Sequence, residues 1–340
     1  MIDHIEEGNT TTGIFLDLSK AFDCLSHSLI LEKLKSIGVR GTAADWFSSY
    51  LSDRSQMVEV QHKLNTKITT VRSKPLPIKS GVPQGSVLGP VLFILFVNDM
   101  PSQLEEFSKV HMYADDTILT LGAKTPDNLD IQSFIAYNMA VQYCQQNDLV
   151  VNKGKSQQMV IGKEKEGVSG VPELAVCYEV NYLGVTLDEN LSWARHVDTV
   201  CSKLSSGLYV LKRMSQISDD KTVRTTYFAL FETHLRYGLA AWGNSSGGNL
   251  QRVLIHQKKA IRVMARLGFR DSCRNAFKEL RILTVVGLYI LETTIYARTS
   301  NLERRGNIHH YGTRNAGTYD LPAHRLNIFK KKPSYIGAKF

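Results

Sequence analysis

The segment that decides the fold is residues 110–121, which read VHMYADDTILTL. Two runs rich in apolar and β-branched residues flank the tripeptide Ala114-Asp115-Asp116. Such runs on either side of a short turn are typical of a β-hairpin. The segment therefore predicts a strand–turn–strand unit with two adjacent carboxylates at its tip.

A third carboxylate ends another apolar run, residues 13–18, which read GIFLDL and predict a buried strand. Carboxylates at strand ends are costly to cluster unless positive charge compensates them. Two Mg²⁺ ions would compensate Asp17, Asp115 and Asp116, because hard oxygen ligands suit this ion. Two metals held by shared carboxylates are a recurring solution for phosphoryl transfer. The alternative for a lone Asp-Asp pair is a solvated turn.

The rest of the first half mixes helical and strand patterns. Helices are predicted over 28–37, 43–51, 90–97 and 129–145, and strands around 57–60, 68–71 and 182–187. A further hairpin is predicted over 150–161. These elements predict an α+β fold, an antiparallel sheet with helices on one face.

The second half is different in charge and pattern. Residues 1–194 hold 16 basic and 23 acidic side chains, whereas residues 195–340 hold 25 basic and 9 acidic. A basic half indicates a polyanionic partner such as nucleic acid, and the alternative is a solvated surface. Helices are predicted over 197–214, 221–239, 250–267 and 273–280. We therefore predict three regions: 1–192, a basic helical 193–303, and an extended or disordered, polar, basic tail over 304–340.

Composition excludes several classes of protein. With 340 residues, 43% hydrophobic and 21% charged, the chain is neither disordered nor fibrous. Its five cysteines are odd in number and lack CxxC spacing, so neither a disulfide framework nor a zinc knuckle is expected. The acidic N-terminus is not a signal peptide, and the longest apolar run, Val91 to Val97, is too short to cross a bilayer. We expect a soluble intracellular protein with no membrane partner.

Five segments together resemble the motifs of reverse transcriptases. In chain order they are 15–23 (FLDLSKAFD), 81–90 (GVPQGSVLGP), 113–116 (YADD), 149–156 (LVVNKGKS) and 181–185 (NYLGV). The first four resemble motifs A to D, and the fifth is similar to the strand that begins the primer grip. The resemblance covers residues 3–290 and is greatest to the reverse transcriptases of non-LTR retrotransposons of the jockey-like kind.

The resemblance implies a right-hand polymerase, with an α+β palm followed by a mostly helical thumb. It implies transfer of dNTPs onto a DNA 3′ end, on a primer or target DNA, templated by RNA. Two Mg²⁺ ions, with Mn²⁺ as a substitute, would act at Asp17 and Asp115. Asp116 would support them, and Leu18 would contribute its backbone carbonyl.

The resemblance also assigns roles around the carboxylates. Phe22 would be a steric gate that selects dNTPs, and its alternative is a core aromatic. Gln84 and Gly85 would lie beside the incoming nucleotide, in a turn that also feeds the helix at Pro90. Lys155 would protonate the leaving pyrophosphate, and its alternative is a solvated lysine. Asp23 is interpreted as structural or capping.

Nucleic-acid contacts are expected in the second half. The primer grip would comprise Tyr182, Leu183 and Gly184. Basic residues recur along the predicted helices at spacings that share a face, and the alternative is an exposed face with no partner. They are Lys203, Lys212, Arg213, Lys258, Lys259, Arg262 and Arg266.

Three other functions compete with polymerisation of DNA. Because most of the fingers region expected before motif A is missing, the chain is expected to polymerise poorly, and an inactive nucleic-acid-binding remnant is the main alternative. Phe22 at the gate opposes an RNA-dependent RNA polymerase. A metal-dependent nuclease would not need motif B or the primer grip. Reaction at a chromosomal target would place the protein in the nucleus.

Overall fold

The computed structural model describes residues 1–64, 67–300, 302–308 and 312–340. Contacts divide the chain into two units, each with its own hydrophobic core. The first unit comprises Met1 and Thr10–Cys177, and the second comprises Ile2–Asn9 and Tyr178–Phe340. The domain boundary predicted at residue 192 stays a prediction. In the division by contacts, the second unit already includes the residues from Tyr178 onward.

A five-stranded sheet organises the first unit. The strands of this unit are β1 (Thr10–Leu16), β2 (Ser55–Gln56), β3 (Glu59–Leu64), β4 (Lys67–Arg72), β5 (Leu76–Pro77), β6 (Lys109–Tyr113), β7 (Asp116–Ala123), β8 (Gln157–Ile161) and β9 (Ala175–Val176). The sheet order is β6-β7-β1-β8-β9, and every neighbouring pair is antiparallel except β8 and β9. Two separate ribbons, β2 with β5 and β3 with β4, complete the strand pairing. The predicted α+β class is confirmed.

Strand β1 is the centre of the sheet, and all seven of its residues are buried. Among its buried polar side chains, that of Thr12 makes two hydrogen bonds, which offset the cost of burying it. The Thr12 hydroxyl donates to the Met159 carbonyl at 3.3 Å and accepts from the Gln158 amide at 3.0 Å. The strand ends at Leu16, so Asp17 is the first residue beyond the buried segment.

Helices of the first unit bury their apolar faces in one core. They are α2 (His27–Ser36), α3 (Thr42–Leu51), α4 (Leu88–Val97), α5 (Met100–Leu104) and α6 (Pro126–Gln146). Helix α4 reads LGPVLFILFV and buries Leu92, Phe93, Phe96 and Val97. Helix α6 packs against β1 and β7.

Two strand predictions in this half need correction, and one is confirmed. The hairpin predicted over 110–121 is β6 and β7. The hairpin predicted over 150–161 does not form, because Val151 makes only an isolated bridge with Leu18, and β8 pairs with β1 and β9. Between the two runs is a tight turn, in which the amides of Lys155 and Ser156 both donate to the Asn152 carbonyl; the first run contacts the residues just after β1, and the second pairs with β1.

The single strand predicted over 182–187 is a hairpin. Its strands are β10 (Glu179–Tyr182) and β11 (Val185–Asp188). Leu183 and Gly184 form the turn with φ of 48° and 72°. Two-residue hairpin turns of type I′ have positive φ at both positions. The chain therefore reverses direction at Leu183 and Gly184, inside the segment that was predicted to be one continuous strand.

The second unit is mostly helical. Its helices are α1 (Ile2–Glu6), α7 (Ala194–Ile217), α8 (Asp220–Tyr227), α9 (Thr233–Arg236), α10 (Leu239–Trp242), α11 (Gly247–Met264), α12 (Arg274–Glu279), α13 (Val285–Thr299), α14 (Arg305–Ile308) and α15 (Pro333–Lys339). The helix predicted over 221–239 is broken, since Phe228–Glu232 is π-helical and Gly238 has a φ of 62°. None of the helices in the described ranges is both long and apolar enough to cross a membrane.

The final segment is not the extended or disordered tail that the sequence predicted. Helix α15 packs on α13 so closely that a Cβ on Gly337 would overlap the Thr293 carbonyl oxygen. Phe329 is only 9% exposed, and Lys332 pairs with Asp3 at 2.5 Å. Apolar residues spaced through a basic segment therefore give it a packed structure.

Candidate active site

Three carboxylates lie at one edge of the first unit's sheet. Leu16 at the end of β1 is the cross-strand partner of Thr117 on β7. Asp17 therefore follows Leu16 at the edge where Asp116 precedes Thr117. Asp115 belongs to the turn between β6 and β7, next to Asp116. The topology thus brings together residues almost one hundred positions apart.

The hairpin turn fixes where Asp115 and Asp116 lie. Tyr113 pairs with Asp116, leaving Ala114 and Asp115 as the two turn residues. Ala114 has a φ of 53°, the left-handed conformation that primed hairpin turns use at this position. A small residue before the carboxylates suits this conformation better than a β-branched one would.

The charges of Asp115 and Asp17 act on the carboxylate of Asp116. The pKa of Asp116 is raised above its ordinary value by burial and then by the negative charges of Asp115 and Asp17. No ion pair with another residue in the described ranges involves any of the three. Mutual repulsion without a protein cation is the electrostatic setting in which a bound cation is favourable.

The donor chemistry of this edge fits a divalent metal. Three carboxylates and the nearby Leu18 carbonyl are the hard oxygen ligands that Mg²⁺ prefers. Nowhere in the described ranges do three His, Cys, Asp or Glu side chains form a ready-made metal cluster. Mg²⁺ is usually held by one or two carboxylates together with substrate phosphates and water, so such a cluster is not required.

The loop that contains Lys155 holds the backbone of Asp17. The Asp17 amide donates to the Ser156 hydroxyl at 3.1 Å, and the Asn152 amide donates to the Asp17 carbonyl at 2.8 Å. Lys155 lies exposed in the intervening turn, while Lys153 pairs with Glu173 at 2.7 Å. The structure therefore places Lys155 on the loop that contacts Asp17. Sequence reasoning did not predict the contact of Ser156 with Asp17. The only indication in the sequence is that Ser156 directly follows Lys155.

The segments that resemble motifs A and B are tied together by backbone contacts. The Val82 amide donates to the Phe22 carbonyl at 2.8 Å, and the Gly81 amide donates to the Leu25 carbonyl at 2.7 Å. Gly81 has a φ of 83°, and a Cβ there would lie 2.7 Å from the Asp23 carbonyl oxygen. Only glycine allows this approach.

The side chains of Phe22 and Gln84, one in each of these two segments, both contact a neighbouring side chain. The Phe22 ring lies 4.8 Å from the ring of Phe93, which is fully buried. The Gln84 side-chain amide donates to Asp23 at 2.8 Å. Gly85 follows in open space with a φ of 81°. Asp23 thus contacts Gln84, in line with a structural role.

A cavity of about 810 Å³ lies beside Gln84. Its wall includes three basic residues, Lys20, Arg54 and Lys79, together with Asp23. Asp17, Asp115 and Asp116 do not line it. The cavity therefore adds positive charge next to the segment that resembles motif B. Sequence reasoning did not single out these three cations.

In the second unit, the residues that resemble the primer grip form the turn between β10 and β11. The Tyr237 hydroxyl donates to the Leu183 carbonyl at 2.6 Å, which holds the turn. Gly184 and Lys203 line one cavity of about 360 Å³ with Tyr237. Tyr182 lies at the end of β10. The structure thus brings Lys203 near this hairpin.

The other predicted basic residues separate into two groups. Lys212, Arg262 and Arg266 line one open cavity of about 750 Å³. Arg213, Lys258 and Lys259 are not among its lining residues. Helix α11 ends at Met264, so Arg266 does not continue the helical face that its spacing predicted. Its φ of 54° and its ion pair with Asp220 at 2.8 Å place it in the following turn.

Comparison with known proteins gives a consistent result. A family model described as "Reverse transcriptase (RNA-dependent DNA polymerase)" matches residues 3–187. The RNA-directed DNA polymerase from mobile element jockey of Drosophila melanogaster is 25% identical over 297 residues, which is 83% of this chain and 31% of that protein. The probable RNA-directed DNA polymerase from transposon BS of the same fly is 26% identical over 325 residues, which is 87% of this chain and 33% of that protein.

The chain spans about a third of the length of these relatives. Among solved structures, the telomerase of Candida albicans with a fragment of telomeric RNA has a TM-score of 0.35 and 12% identity. That likeness covers 86% of this chain and 48% of the telomerase chain. It is distant, and the match to the family model is the stronger finding.

Proposed function

Because this chain belongs to the reverse transcriptase family, we propose that it acts as the RNA-directed DNA polymerase of a non-LTR retrotransposon. The observation that carries the proposal is the meeting of Asp17 with Asp115 and Asp116 at one sheet edge. The family generally uses a divalent metal. The reaction is attack of a DNA 3′-oxygen on the α-phosphorus of a dNTP, with release of pyrophosphate.

Asp17, Asp115 and the Leu18 carbonyl would hold two Mg²⁺ ions, and Asp116 would support them. When bound, the ions lower the barrier by activating the attacking oxygen and stabilising charge on the leaving group, and Mn²⁺ can substitute. The protein's own contribution is positioning, which dominates phosphoryl transfer. The hydrogen bonds of the Ser156 hydroxyl and the Asn152 amide to the backbone of Asp17 support this role.

Three side chains would act on the nucleotide. Phe22, held against Phe93, would exclude a ribose 2′-hydroxyl and so select dNTPs. Gln84, oriented by Asp23, would contact the incoming nucleotide beside Gly85. Lys155, exposed on the loop that contacts Asp17, would donate a proton to the leaving pyrophosphate. These assignments follow from the family resemblance and are consistent with the contacts described.

The partners proposed are an RNA template and a DNA primer or target strand. Lys212, Arg262 and Arg266 around one cavity support contacts to phosphates, with Lys203 near the β10–β11 turn. Arg213, Lys258 and Lys259 are proposed as further contacts. Copying at a chromosomal target would place the reaction in the nucleus.

A second candidate is nucleic-acid binding without catalysis. The net charge of +16 over residues 195–340 favours it, because phosphate binding needs only this positive field. Binding of this kind would be indifferent to Asp115→Asn. The two candidates therefore separate in one experiment.

That experiment is Mg²⁺-dependent extension of a DNA primer on an RNA template by the purified chain. Asp115→Asn should lower the rate by at least about a hundredfold, the scale for losing one charge-stabilising group in an active site. Asp127→Asn is the matched control, since Asp127 is an exposed carboxylate in the first turn of α6. Retained RNA binding without extension in the wild type would leave the second candidate.

A further inference from the structure

Helix α3 and the segment just after it carry a series of stacked side chains, which we call the aromatic ladder: Trp46 and Tyr50 on the helix, and Arg54 three residues beyond its end at Leu51. The Trp46 and Tyr50 rings stack with centroids 5.5 Å apart and an interplanar angle of 12°. The Arg54 guanidinium lies over the Tyr50 ring, 5.1 Å from its centroid. The spacing of four residues places Trp46 and Tyr50 on one side of the helix.

The outer end of the ladder is open. Trp46 is 52% exposed, a large fraction for the largest of the aromatic side chains. Phe47 meets it only edge-on, at 5.2 Å and 81°. A half-exposed indole already aligned in a stack can accept another flat ring at little conformational cost.

The inner end of the ladder reaches the candidate active site within the same unit. The Tyr50 hydroxyl lies 3.5 Å from the Ser86 hydroxyl, two residues after Gln84. Arg54 lines the cavity of about 810 Å³ beside Gln84, together with Lys20 and Lys79. The ladder therefore runs from solvent to the segment proposed to contact the nucleotide.

The charge around the inner end suits a polyanion. Residues 54–80 hold six Lys or Arg and one Asp or Glu, although residues 1–194 as a whole hold 16 and 23. Arg54 and Lys79 of this segment line the cavity together with Lys20, so positive charge lies beside it although this half of the chain is acidic. Aromatic rings combined with a basic groove are the combination by which proteins bind single strands, since every base offers a flat face.

We propose that the aromatic ladder is a stacking platform for an unpaired base of single-stranded RNA. Trp46 stacks on the base, while Arg54 and the cavity cations contact the phosphates of the same strand. The identity of that strand as a template rests on the proposed polymerase function. An aromatic pair that only stabilised α3 would need neither the exposed indole nor the basic cavity.

Tryptophan fluorescence tests the platform directly. The chain has three tryptophans, Trp46, Trp193 and the fully buried Trp242. In a Trp193→Phe background, titration with an oligoadenylate RNA of about 12 nucleotides, within typical site sizes, should quench the emission of Trp46. A duplex RNA of equal length should quench it far less, because its bases are already stacked.

Affinity measured with labelled RNA separates stacking from structure. Trp46→Ala should weaken binding of the oligoadenylate by about 5- to 100-fold, the range for loss of one base–aromatic stack. Trp46→Phe should restore most of the affinity, since it keeps a flat ring. Phe134→Ala is the matched control, because Phe134 is 51% exposed on α6 and outside the ladder. Thermal melting checks that each variant is folded.

The proposal is overturned if folded Trp46→Ala binds the RNA as tightly as Phe134→Ala, or if the RNA leaves Trp46 emission unchanged. Primer extension by the wild-type chain is measured separately. Quenching without primer extension would contradict the proposed polymerase function and would still support the ladder as a binding site for single-stranded RNA. Primer extension by the wild-type chain, with Trp46→Ala binding the RNA as tightly as the wild type, would contradict only the stacking platform.

Discussion

The backbone amide of Asp17 donates to the hydroxyl of Ser156 across 3.1 Å, although the two residues are 139 positions apart. Ser156 is completely buried. The carbonyl of Asp17 accepts the Asn152 amide at 2.8 Å, so both backbone groups of Asp17 are held by one loop. The backbone of a proposed metal ligand is thereby held by residues that are not themselves proposed as ligands.

Ser156→Ala should impair catalysis through Asp17. The substitution leaves the Asp17 amide without its partner, which we expect to cost about 1–3 kcal/mol of folding free energy. Loss of a residue that orients a metal ligand typically lowers activity by about 10- to 100-fold. The measurement is the Mg²⁺ concentration for half-maximal primer extension, which should rise in the variant.

Ser133→Ala provides the matched control for this prediction. Ser133 is also completely buried, but its hydroxyl has no hydrogen-bond partner within the described residues. Removing it should leave stability nearly unchanged and the Mg²⁺ requirement unaltered. Equal effects of the two substitutions would contradict a positioning role for Ser156.

Gln84 and Asp23 should behave as a coupled pair. The Gln84 amide donates to the Asp23 carboxylate at 2.8 Å, and both side chains are exposed. Gln84→Ala and Asp23→Ala should each raise the KM for dNTP, while changing stability by less than about 0.5 kcal/mol, as is usual for surface positions.

A double-mutant cycle measures the coupling. If Asp23 acts by orienting Gln84, the double variant should be little worse than Gln84→Ala, with a coupling energy of about 0.5–3 kcal/mol. Strictly additive effects on the KM would mean that Asp23 acts on the nucleotide independently.

Local sequence patterns predicted the β6–β7 hairpin and the end of β1, because alternation and a short turn specify each one within a few residues. The Asp115-Asp116 tip follows from the same pattern. The two hydrogen bonds that hold the backbone of Asp17 could not be predicted, because they depend on how the loop after α6 returns to the end of β1. The turn at Leu183 and Gly184 was also missed, because strand-forming residues lie on both sides of Gly184 and predict one continuous strand.

Errors in the second half have a similar origin. The helical pattern over 221–239 continues through the π-helical segment, so periodicity does not reveal the break. The spacing of Arg266 from Arg262 is helical, yet the backbone leaves the helix at Met264. In the first half, the aromatic ladder was not predicted, because it depends on the exposure of Trp46 and on the cavity at Arg54.

Protonation of His196 should make stability pH-dependent. His196 is 3% exposed, and its Nδ1 accepts the Thr186 amide at 3.3 Å, which requires the neutral ring. Burial, and then the charge of Lys203, lower the pKa of His196 below its ordinary value of 6.5. The unfolded chain therefore binds this proton at a higher pH than the folded chain does.

The sign follows from linkage, since stability rises with pH wherever the unfolded state binds more protons. The contribution of His196 is complete above about pH 6.5 and is lost as the pH falls from there toward the folded-state pKa. Urea unfolding across this range should show a smaller loss in His196→Gln than in the wild type. Lys203→Met should also reduce the loss, because it removes a charge that opposes protonation. Parallel curves for wild type and His196→Gln would contradict the assignment.

Phe22 has two roles to separate, packing and selection of the sugar. Its ring is held 4.8 Å from Phe93, and the backbone of the same residue receives the Val82 amide. Phe22→Val removes the ring but leaves an apolar side chain at this position. The preference for dNTPs over rNTPs, measured as the ratio of kcat/KM values, should fall by about tenfold or more, the scale for discriminating one small group.

Phe22→Tyr keeps the ring and should keep the preference, so it is the matched variant. Because the ratio compares two substrates on one protein, any general loss of stability or activity cancels from it. A packing role alone would lower the rate with both substrates and leave their ratio unchanged. An unchanged ratio in an active, folded Phe22→Val variant would therefore make Phe22 a core residue and place sugar selection elsewhere.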